Sequence, residues 1–324
     1  MFGLTFLSAT SKTTTHRVVP FLIKRTLEGV AGYVAGGFDG GNISRIDKVS
    51  FPADTKTTLS ATLTTARQTM AGFANSGVAG YAAGGEDVFT GLLSGIDKVS
   101  FPADTKTTLS ATLTTARNYG AGFANSGTAG YVAGGYGGGS ISGIDKVSFP
   151  ADTKTTLSAT LTTARYVVSG FANSGTAGYV AGGADSGGRV SGIDKIAFPA
   201  DTKSTLSATL TTARYAIAGF ANSGTAGYAA GGIDSVAVSG IDKVSFPADT
   251  KTTLSATLTT VCRYAAGFAN SGVAGYVAGG LDNASTNFSR IDKISFPADT
   301  KTTLSATLTA SAAYVAGFAN SGTL

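Results

Sequence analysis

The chain has 324 residues with a net charge of +5, yet only 13% of its residues are charged and 45 are glycine, whereas soluble domains average about 25% charged residues and about 7% glycine. The positive charges are scattered and form no basic stripe, so we expect no nucleic-acid binding. No apolar run is long enough to cross a bilayer, and the first residues lack the pattern of a secretory signal peptide, which predicts a soluble protein without membrane insertion.

Residues 1–28 differ from the rest of the chain and are predicted to form an N-terminal arm. The arm contains the most hydrophobic stretch of the sequence, whose apolar side chains are Val18, Val19, Phe21, Leu22 and Ile23. Two interpretations are open. The arm docks against a partner or a sister subunit during assembly, which we favour, or it supplies an extra strand to the first repeat.

Residues 29–324 repeat one motif six times. The stretch FPADTKTTLSATLTTAR begins at Phe51 and recurs unchanged from Phe101 and from Phe149, and its variants begin at Phe198, Phe246 and Phe296. The steps between these positions are 48 to 50 residues. A fixed period of this length indicates a repeat architecture.

Each repeat divides into four short β-strands at turn signals. In the repeat that begins after Arg165, these are YVVSGFA, AGYVAGG, SGIDKIAF and STLSATLTT. In the last of them Leu206, Ala208 and Leu210 alternate with Ser207 and Thr209, which is the period of a strand. No stretch has the apolar period of a helix, and Thr, Ser and Gly disfavour one.

The predicted fold class is therefore all-β. A four-stranded antiparallel sheet of this size cannot bury both of its faces alone, but six of them can do so when they pack face to face in a ring. The first two strands are rich in Ala and Gly, as expected where strands from all blades converge on an axis. We predict a six-bladed β-propeller in which the C-terminal strand, Tyr314 to Asn320, pairs with Gly32 to Gly36 and leaves no free sheet edge.

The repeat resembles the kelch repeat, which is about fifty residues long. The resemblance covers roughly residues 31–320 and rests on GYVAGG-type strands that end in a Gly pair, on a third strand that ends in a turn, and on an Arg before the next first strand. The chain differs from the usual kelch pattern because it has no Trp. Near-identical repeats rich in Thr, Ala and Gly look similar to those of phage virion proteins and bacterial surface proteins.

The six repeats differ from one another mainly in two places: the loop after the Gly pair, and the junction after the TTAR motif. Alternate turns of a meander lie on the same side of a sheet, so both places are predicted on one face, and loops on a rigid scaffold are common binding sites. The predicted recognition residues are Phe38, Asp39, Asn42, Glu86, Asp87, Phe89, Tyr136, Asp185, Arg189, Asp234, Asp282, Asn283 and Asn287.

Residues with catalytic chemistry are few. The Asp of each IDK motif recurs six times, which indicates hydrogen bonds to turns or neighbouring blades rather than catalysis. The Arg of TTAR is a candidate for a cationic ring at the channel mouth, although Cys262 and Ala312 replace it in two repeats. Cys262 and His16 are each the only residue of their type, and we predict no catalytic site, metal site or cofactor.

These observations favour a non-enzymatic structural and binding protein, either a phage virion or tail component or a surface adhesin, located on a virion or outside a cell. Its expected partners are other structural proteins, through the arm, and a host surface glycan or protein. The alternative is a cytoplasmic kelch-like adaptor that binds a protein partner with its variable face. An enzyme on a propeller scaffold would need a unique polar cluster near the axis, and the sequence offers none.

Overall fold

A computed structural model describes residues 30–321, and in this part of the chain the regular elements are all β-strands. The strands form six four-stranded antiparallel sheets and two short hairpins. The sheets are arranged as the blades of a six-bladed β-propeller, which confirms the predicted fold class. No helix in residues 30–321 is long and apolar enough to span a membrane.

Every blade has the same four strands, counted outward from the axis. The first strands are Ala316–Asn320, Ala71–Asn75, Ala121–Asn125, Ser169–Asn173, Ala218–Asn222 and Ala266–Asn270 in blades 1 to 6. The second strands are Ala31–Ala35, Ala79–Ala83, Ala129–Ala133, Ala177–Ala181, Ala226–Ala230 and Ala274–Ala278. The third strands are Ile46–Ser50, Ile96–Ser100, Ile144–Ser148, Ile193–Ala197, Ile241–Ser245 and Ile291–Ser295. The outer strands are Thr55–Thr58, Thr105–Thr108, Thr153–Thr156, Thr202–Thr205, Thr250–Thr253 and Thr300–Thr303.

The C-terminal strand closes the ring. Ala316–Asn320 pairs antiparallel with Ala31–Ala35, with Ala31 opposite Asn320 and Ala35 opposite Ala316. This pairing confirms the predicted closure and fills the inner position of blade 1. Residues 1–28, with the predicted docking side chains of the arm, lie outside the described residues.

Six glycines let the first strands approach one another around the axis. A Cβ on Gly122 would lie 2.1 Å from the Gly72 carbonyl oxygen, and a Cβ on Gly317 would lie 2.4 Å from that of Gly267. The same close approach joins all neighbouring blades, so a side chain larger than hydrogen has no room at this position. The predicted role of small residues near the axis is confirmed.

Aromatic rings fill the interfaces between blades. The Phe of each first strand lies against the second-strand Gly of the next blade, as Phe73 does against Gly130. Each second-strand Tyr, fully buried, stacks between its own blade and the next: Tyr33 lies 5.4 Å from the ring centroid of Phe318 and 4.9 Å from that of Phe101. These rings form the apolar core between blades together with aliphatic side chains such as Ile46, Leu63 and Val99.

The same set of polar bonds recurs at every interface between blades. The Tyr33 hydroxyl donates to Asp104 Oδ1 at 2.7 Å and the Lys48 ammonium donates to Asp104 Oδ2 at 2.6 Å. Asp104 belongs to the FPADT turn of blade 2, and the equivalent aspartates of the other turns are Asp152, Asp201, Asp249, Asp299 and Asp54. The last of these joins blade 6 to blade 1, so the ring is closed by side chains as well as by strand pairing.

Two predicted strand boundaries are wrong. The outer strand of blade 4 is Thr202–Thr205 rather than the predicted stretch from Ser204 to Thr212. Leu206 N–H donates to the Ile193 carbonyl and Leu210 N–H donates to the Ser191 carbonyl. The chain thus advances four residues from Leu206 to Leu210 while its partner advances only two, so the regular hydrogen-bond pattern of a strand pair is lost. Leu210 is still buried, in the apolar cluster with Tyr179 and Ile217, and its neighbour Thr209 is exposed. The first strand begins at Ser169, later than predicted, because Val167 has a φ of 52°.

Candidate functional site

A ring of backbone hydrogen bonds surrounds the axis on the face that carries the junctions after TTAR. Tyr119 N–H donates to the Thr69 carbonyl at 2.9 Å, Thr69 N–H donates to Tyr314 at 2.8 Å, and Tyr314 N–H donates to Tyr264 at 2.8 Å. The residue at this position has a positive φ in all six blades, which turns the chain from one blade into the next. The junctions are therefore held rigidly even though their side chains vary.

The side chains at this axial position divide the channel mouth into a filled and an open half. Tyr264 and Tyr314 come from adjacent blades, and their ring centroids are 4.2 Å apart. Tyr119 comes from the blade opposite that of Tyr264, and the ring centroids of these two tyrosines are 6.1 Å apart. Blades 2, 4 and 5 carry the smaller Thr69, Val167 and Ala216 instead, and of these blades only 4 and 5 are neighbours. Three tyrosines thus cover the axis, and space remains over blades 4 and 5.

That space is a cavity of about 400 Å³, which we call the tyrosine hollow. Four tyrosines line it, and the hairpin formed by Ala184–Asp185 and Gly188–Arg189 provides its rim; the tyrosines are Tyr119, Tyr166, Tyr215 and Tyr264. Burial is the main cause that raises the pKa of the Tyr119 and Tyr264 hydroxyls, and neighbouring tyrosines raise them further. These hydroxyls stay neutral and can both donate and accept hydrogen bonds at physiological pH.

The two variable regions lie together on this face, which we call the variable face. In each blade the residue after the Gly pair forms an antiparallel bridge with the residue of the junction, as Gln68 does with Glu86 and Tyr166 with Ala184. The remaining bridges are Asn118–Tyr136, Tyr215–Ile233, Arg263–Leu281 and Ala313–Phe38. The predicted sharing of one face is confirmed, while the recognition role of its residues stays a prediction.

Most predicted recognition acids bind their own loops. Asp87 accepts hydrogen bonds from Phe89 N–H and the Thr90 hydroxyl, and Asp185 accepts one from Gly187 N–H. Asp234 and Asp282 likewise accept from backbone N–H groups of their own turns, and Asp39 lies 3.7 Å from Arg45. These bonds hold the carboxylates within their own loops and fix the loop shapes.

Amide side chains tie adjacent loops into a continuous rim. Asn42 donates to the Glu86 carbonyl at 3.0 Å, and Asn287 donates to the Phe38 carbonyl at 3.0 Å. Asn283 accepts a bond from Ala237 N–H at 2.6 Å. The loops of blades 5, 6, 1 and 2 are thereby linked in order, so the loop positions are fixed relative to one another.

Large apolar side chains project from the variable face. Phe89 is 93% exposed at the tip of the hairpin formed by Glu86–Asp87 and Gly91–Leu92, beside the exposed Val88. Tyr136 and Val236 are exposed in the loops of blades 3 and 5. Isolated exposed apolar residues are common, but an adjacent pair at a hairpin tip is well placed for contact with a partner.

The opposite face carries nearly identical Asn-Ser-Gly turns in blades 2 to 6 and the equivalent Asn320 and Ser321 in blade 1, and we call it the serine face. Ser76 N–H donates to the Ser126 hydroxyl at 2.8 Å, and equivalent bonds continue around the ring until Ser321 N–H donates to Ser76 at 2.8 Å. The serines surround a cavity of about 920 Å³. Because the turns are uniform, this face lacks the variation expected of a selective site.

The IDK aspartates are structural, as predicted. Asp97 accepts bonds from the Thr64 amide and hydroxyl and from the Thr108 hydroxyl, all between 2.7 and 2.8 Å. Thr64 follows the outer strand of the preceding blade, so the carboxylate joins two blades. All six IDK aspartates make the equivalent pair of bonds to a threonine of the preceding blade.

The proposed ring of TTAR arginines at the channel mouth is wrong. Arg67 is buried and lies 3.0 Å from Asp97, and the other three arginines pair in the same way with Asp145, Asp194 and Asp242. Each guanidinium also donates to backbone carbonyls, as Arg67 does to Ala82 at 3.1 Å. These cations neutralise buried carboxylates and are not available to an anion in the channel.

The two repeats that lack this arginine supply another one. Blade 6 has Cys262 in place of the arginine but carries Arg290, 3.5 Å from Asp292. Blade 1 has Ala312 in its place but carries Arg45, 3.5 Å from Asp47. The other four blades have glycine where Arg45 and Arg290 stand: Gly95, Gly143, Gly192 and Gly240. Every IDK aspartate therefore has one guanidinium, and this exchange is visible in the aligned repeats although sequence reasoning missed it.

Cys262 is buried, and the described residues form no metal-binding group. Burial raises the pKa of the Cys262 thiol to about 12, which keeps it protonated. In the described part of the chain, no group of three or more His, Cys, Asp or Glu side chains is placed to hold a metal ion. His16 lies outside that part.

Comparison with known proteins identifies no family. No protein-family model matches the chain, and a search of curated proteins found no relative. The resemblance to kelch repeats therefore rests on the sequence pattern described above, and the propeller fold rests on the structure.

Proposed function

We propose that this protein is a non-enzymatic structural and binding protein that uses its variable face for recognition, as a component of a phage virion or tail or as a surface adhesin. The observation that carries the proposal is the contrast between the two faces of one rigid disc. The variable face differs in sequence from blade to blade at positions with a fixed backbone, whereas the serine face repeats one turn.

The use of the recurring polar residues supports a non-enzymatic role. The IDK and FPADT aspartates, the TTAR arginines and the second-strand tyrosines bind one another across blade interfaces. The aspartates and tyrosines make these structural contacts in every repeat, and the TTAR arginines do so in the four repeats that carry them, whereas a catalytic group is needed once. What differs between repeats is the surface chemistry of the loops, which is what selective binding requires.

Binding of the labelled, purified chain to bacterial cells and to a panel of surface glycans tests the proposal. In a first variant, the loops 86–92, 184–190 and 281–287 are replaced by the short loop 136–140, and we expect binding to be lost. In a control variant, Val78→Thr and Val273→Thr make the turns of the serine face more uniform, and we expect binding to persist. Binding that survives loop replacement, or no binding to cells, glycans or particles by the native chain, would contradict the proposal.

A kelch-like adaptor for a protein partner is a second candidate. The exposed pair Val88 and Phe89 at a hairpin tip favours it, since apolar side chains anchor protein interfaces. A pull-down from cytosol that captures one partner with the native chain and loses it with Phe89→Ser would support this candidate. Charge reversal at Asp185 and Arg189 tests whether blade 4 contributes to the same interface.

A further inference from the structure

We propose that the tyrosine hollow is a subsite for one acidic sugar residue, such as a uronic or sialic acid unit of a surface glycan. This inference rests on the proposed binding function and deepens it. The hollow has a volume of about 400 Å³, within the range of small-ligand sites. It lies on the variable face, where the small Val167 and Ala216 of the neighbouring blades 4 and 5 leave space beside the axis.

The lining suits a sugar ring. Tyr119, Tyr166 and Tyr264 present aromatic rings to the hollow from different directions, with Tyr166 6.5 Å from Tyr119. A pyranose has apolar C–H groups on its faces and hydroxyls around its edge, so it can contact aromatic rings while its hydroxyls bond to phenol groups. Tyrosine hydroxyls serve this purpose because they donate and accept hydrogen bonds without carrying charge.

The rim adds a positive charge. Arg189 is exposed at the end of the blade 4 hairpin and lines the hollow; its backbone pairs with Ala184, but among the described residues its guanidinium has no ion-pair or hydrogen-bond partner. Its guanidinium offers a planar set of N–H donors that matches a carboxylate. The one carboxylate of the rim, Asp185, already accepts the Gly187 N–H at 2.8 Å.

The same arrangement disfavours a cationic ligand. The Arg263 guanidinium already lies over the Tyr264 ring, 5.9 Å from its centroid, and Arg189 lines the hollow, so a cationic ligand would meet a positive charge at the rim and a ring that already has a cation over it. An aromatic cage for a cation would instead need ring faces free of cations. Among ligands that combine a ring with polar edges, an acidic sugar fits both the tyrosines and the charge.

Saturation-transfer NMR and calorimetry with methyl glycosides test the inference. The probes are the methyl glycosides of glucuronic, galacturonic and N-acetylneuraminic acid, compared with the neutral methyl glucoside and galactoside. We expect at least one acidic glycoside to bind at millimolar concentration and more tightly than the neutral ones. Arg189→Gln should weaken that binding about tenfold or more, and Arg189→Lys less, because the lysine keeps the charge but not the fork of donors.

Substitutions of the tyrosines that line the hollow distinguish a loss of ligand binding from a loss of folding. Tyr166→Leu should abolish binding of the acidic glycoside while circular dichroism and thermal unfolding stay close to those of the native chain, because Tyr166 is bridged to Ala184 through its backbone. If Tyr166→Leu does not fold, Tyr215→Leu replaces it. Val273→Ala on the serine face is the control and should bind as the native chain does.

Three outcomes would overturn the inference. These are no binding of any acidic glycoside, equal binding of acidic and neutral glycosides with no effect of Arg189→Gln, and binding that Tyr166→Leu leaves unchanged. None of them removes the proposed function, which is tested separately by binding to cells and glycan panels with the loop-replacement variant. Absence of any binding to cells, glycans or particles by the native chain would remove both.

Discussion

Removing the buried arginine of a TTAR motif should destabilise the protein far more than removing the arginine that replaces it elsewhere. In blade 3, Arg117 lies 2.7 Å from Asp145, and the two side chains are 3% and 1% exposed. Arg117→Ala would leave the buried carboxylate with only the half-buried Lys154 ammonium, 3.9 Å away, and would also remove a bond to the Val132 carbonyl. Breaking a buried pair of this kind costs about 3–5 kcal/mol of unfolding free energy.

The matched comparison is Arg290→Ala in blade 6. This pair is longer, 3.5 Å, and the Arg290 side chain is 18% exposed, so solvent screens it more. The threonine bonds are the same at both sites, from Thr259 and Thr303 to Asp292 and from Thr114 and Thr156 to Asp145, so the comparison isolates the arginine. We therefore expect a cost of about 1 kcal/mol.

The exchange of arginine positions predicts a rescue. Arg290→Gly alone removes the cation of Asp292, while the double variant Cys262→Arg with Arg290→Gly rebuilds the arrangement of the other four blades. We expect the double variant to recover most of the stability that Arg290→Gly loses. Urea unfolding followed by circular dichroism measures all the variants. Equal costs for Arg117→Ala and Arg290→Ala, or a double variant no more stable than Arg290→Gly, would refute the reasoning.

Three further predictions concern titratable groups. Burial alone would raise the pKa of the Asp145 carboxyl, but bonds from Thr114 and Thr156 and the charge of Arg117 outweigh it and lower the pKa, as they do at Asp194 and Asp242. The stability that these carboxylates provide is present above a pH of about 4 and is lost as the pH falls through their lowered pKa values. The urea concentration at the unfolding midpoint should therefore fall in acid, and it should fall less steeply with pH for Asp145→Asn than for the native chain. Burial first, and then the bond to an FPADT aspartate, raises the pKa of all six second-strand tyrosines. Their contribution to folding stability is therefore complete below a pH of about 10 and is lost as the pH rises further. Tyrosinate absorbance should develop together with unfolding, and titration of these tyrosines in the folded protein would contradict this. The Cys262 thiol, with a pKa raised to about 12 by burial, should react with thiol reagents only after unfolding, and rapid labelling of the native chain would show that it is accessible.

The fold could be predicted from the sequence because its determinants recur six times. Turn residues, the strand period and the Ala and Gly content agree in every repeat, and the unmatched first strand at the C-terminus indicates how the ring closes. The outer strand of blade 4 begins and ends earlier in the sequence than predicted, because the burial of Leu206 and Leu210 alternates with the exposure of Ser207 and Thr209 although this segment has no strand partner. Burial alternates wherever an extended chain lies on a surface, so the pattern alone does not indicate a ladder of hydrogen bonds.

The candidate site could be predicted only in part. The variable loops were placed on one face by counting turns, and the structure confirms that placement. The tyrosine hollow was missed because Tyr119 and Tyr264 are far apart in sequence and meet only across the axis. The burial of Arg67 was missed because its partner Asp97 lies thirty residues later and belongs to the next repeat.

The closure of the ring by the C-terminal strand is tested most directly by Gly317→Ala, compared with Gly41→Ala. A Cβ at Gly317 would lie 2.4 Å from the Gly267 carbonyl oxygen, whereas a Cβ at Gly41 meets nothing within 4 Å, and neither residue has a positive φ. We expect Gly317→Ala to lower the unfolding free energy by about 1–3 kcal/mol or more, because the neighbour is backbone and cannot move alone, and Gly41→Ala to leave it nearly unchanged. Equal stability of the two variants would show that the last strand does not lie in the axial ring.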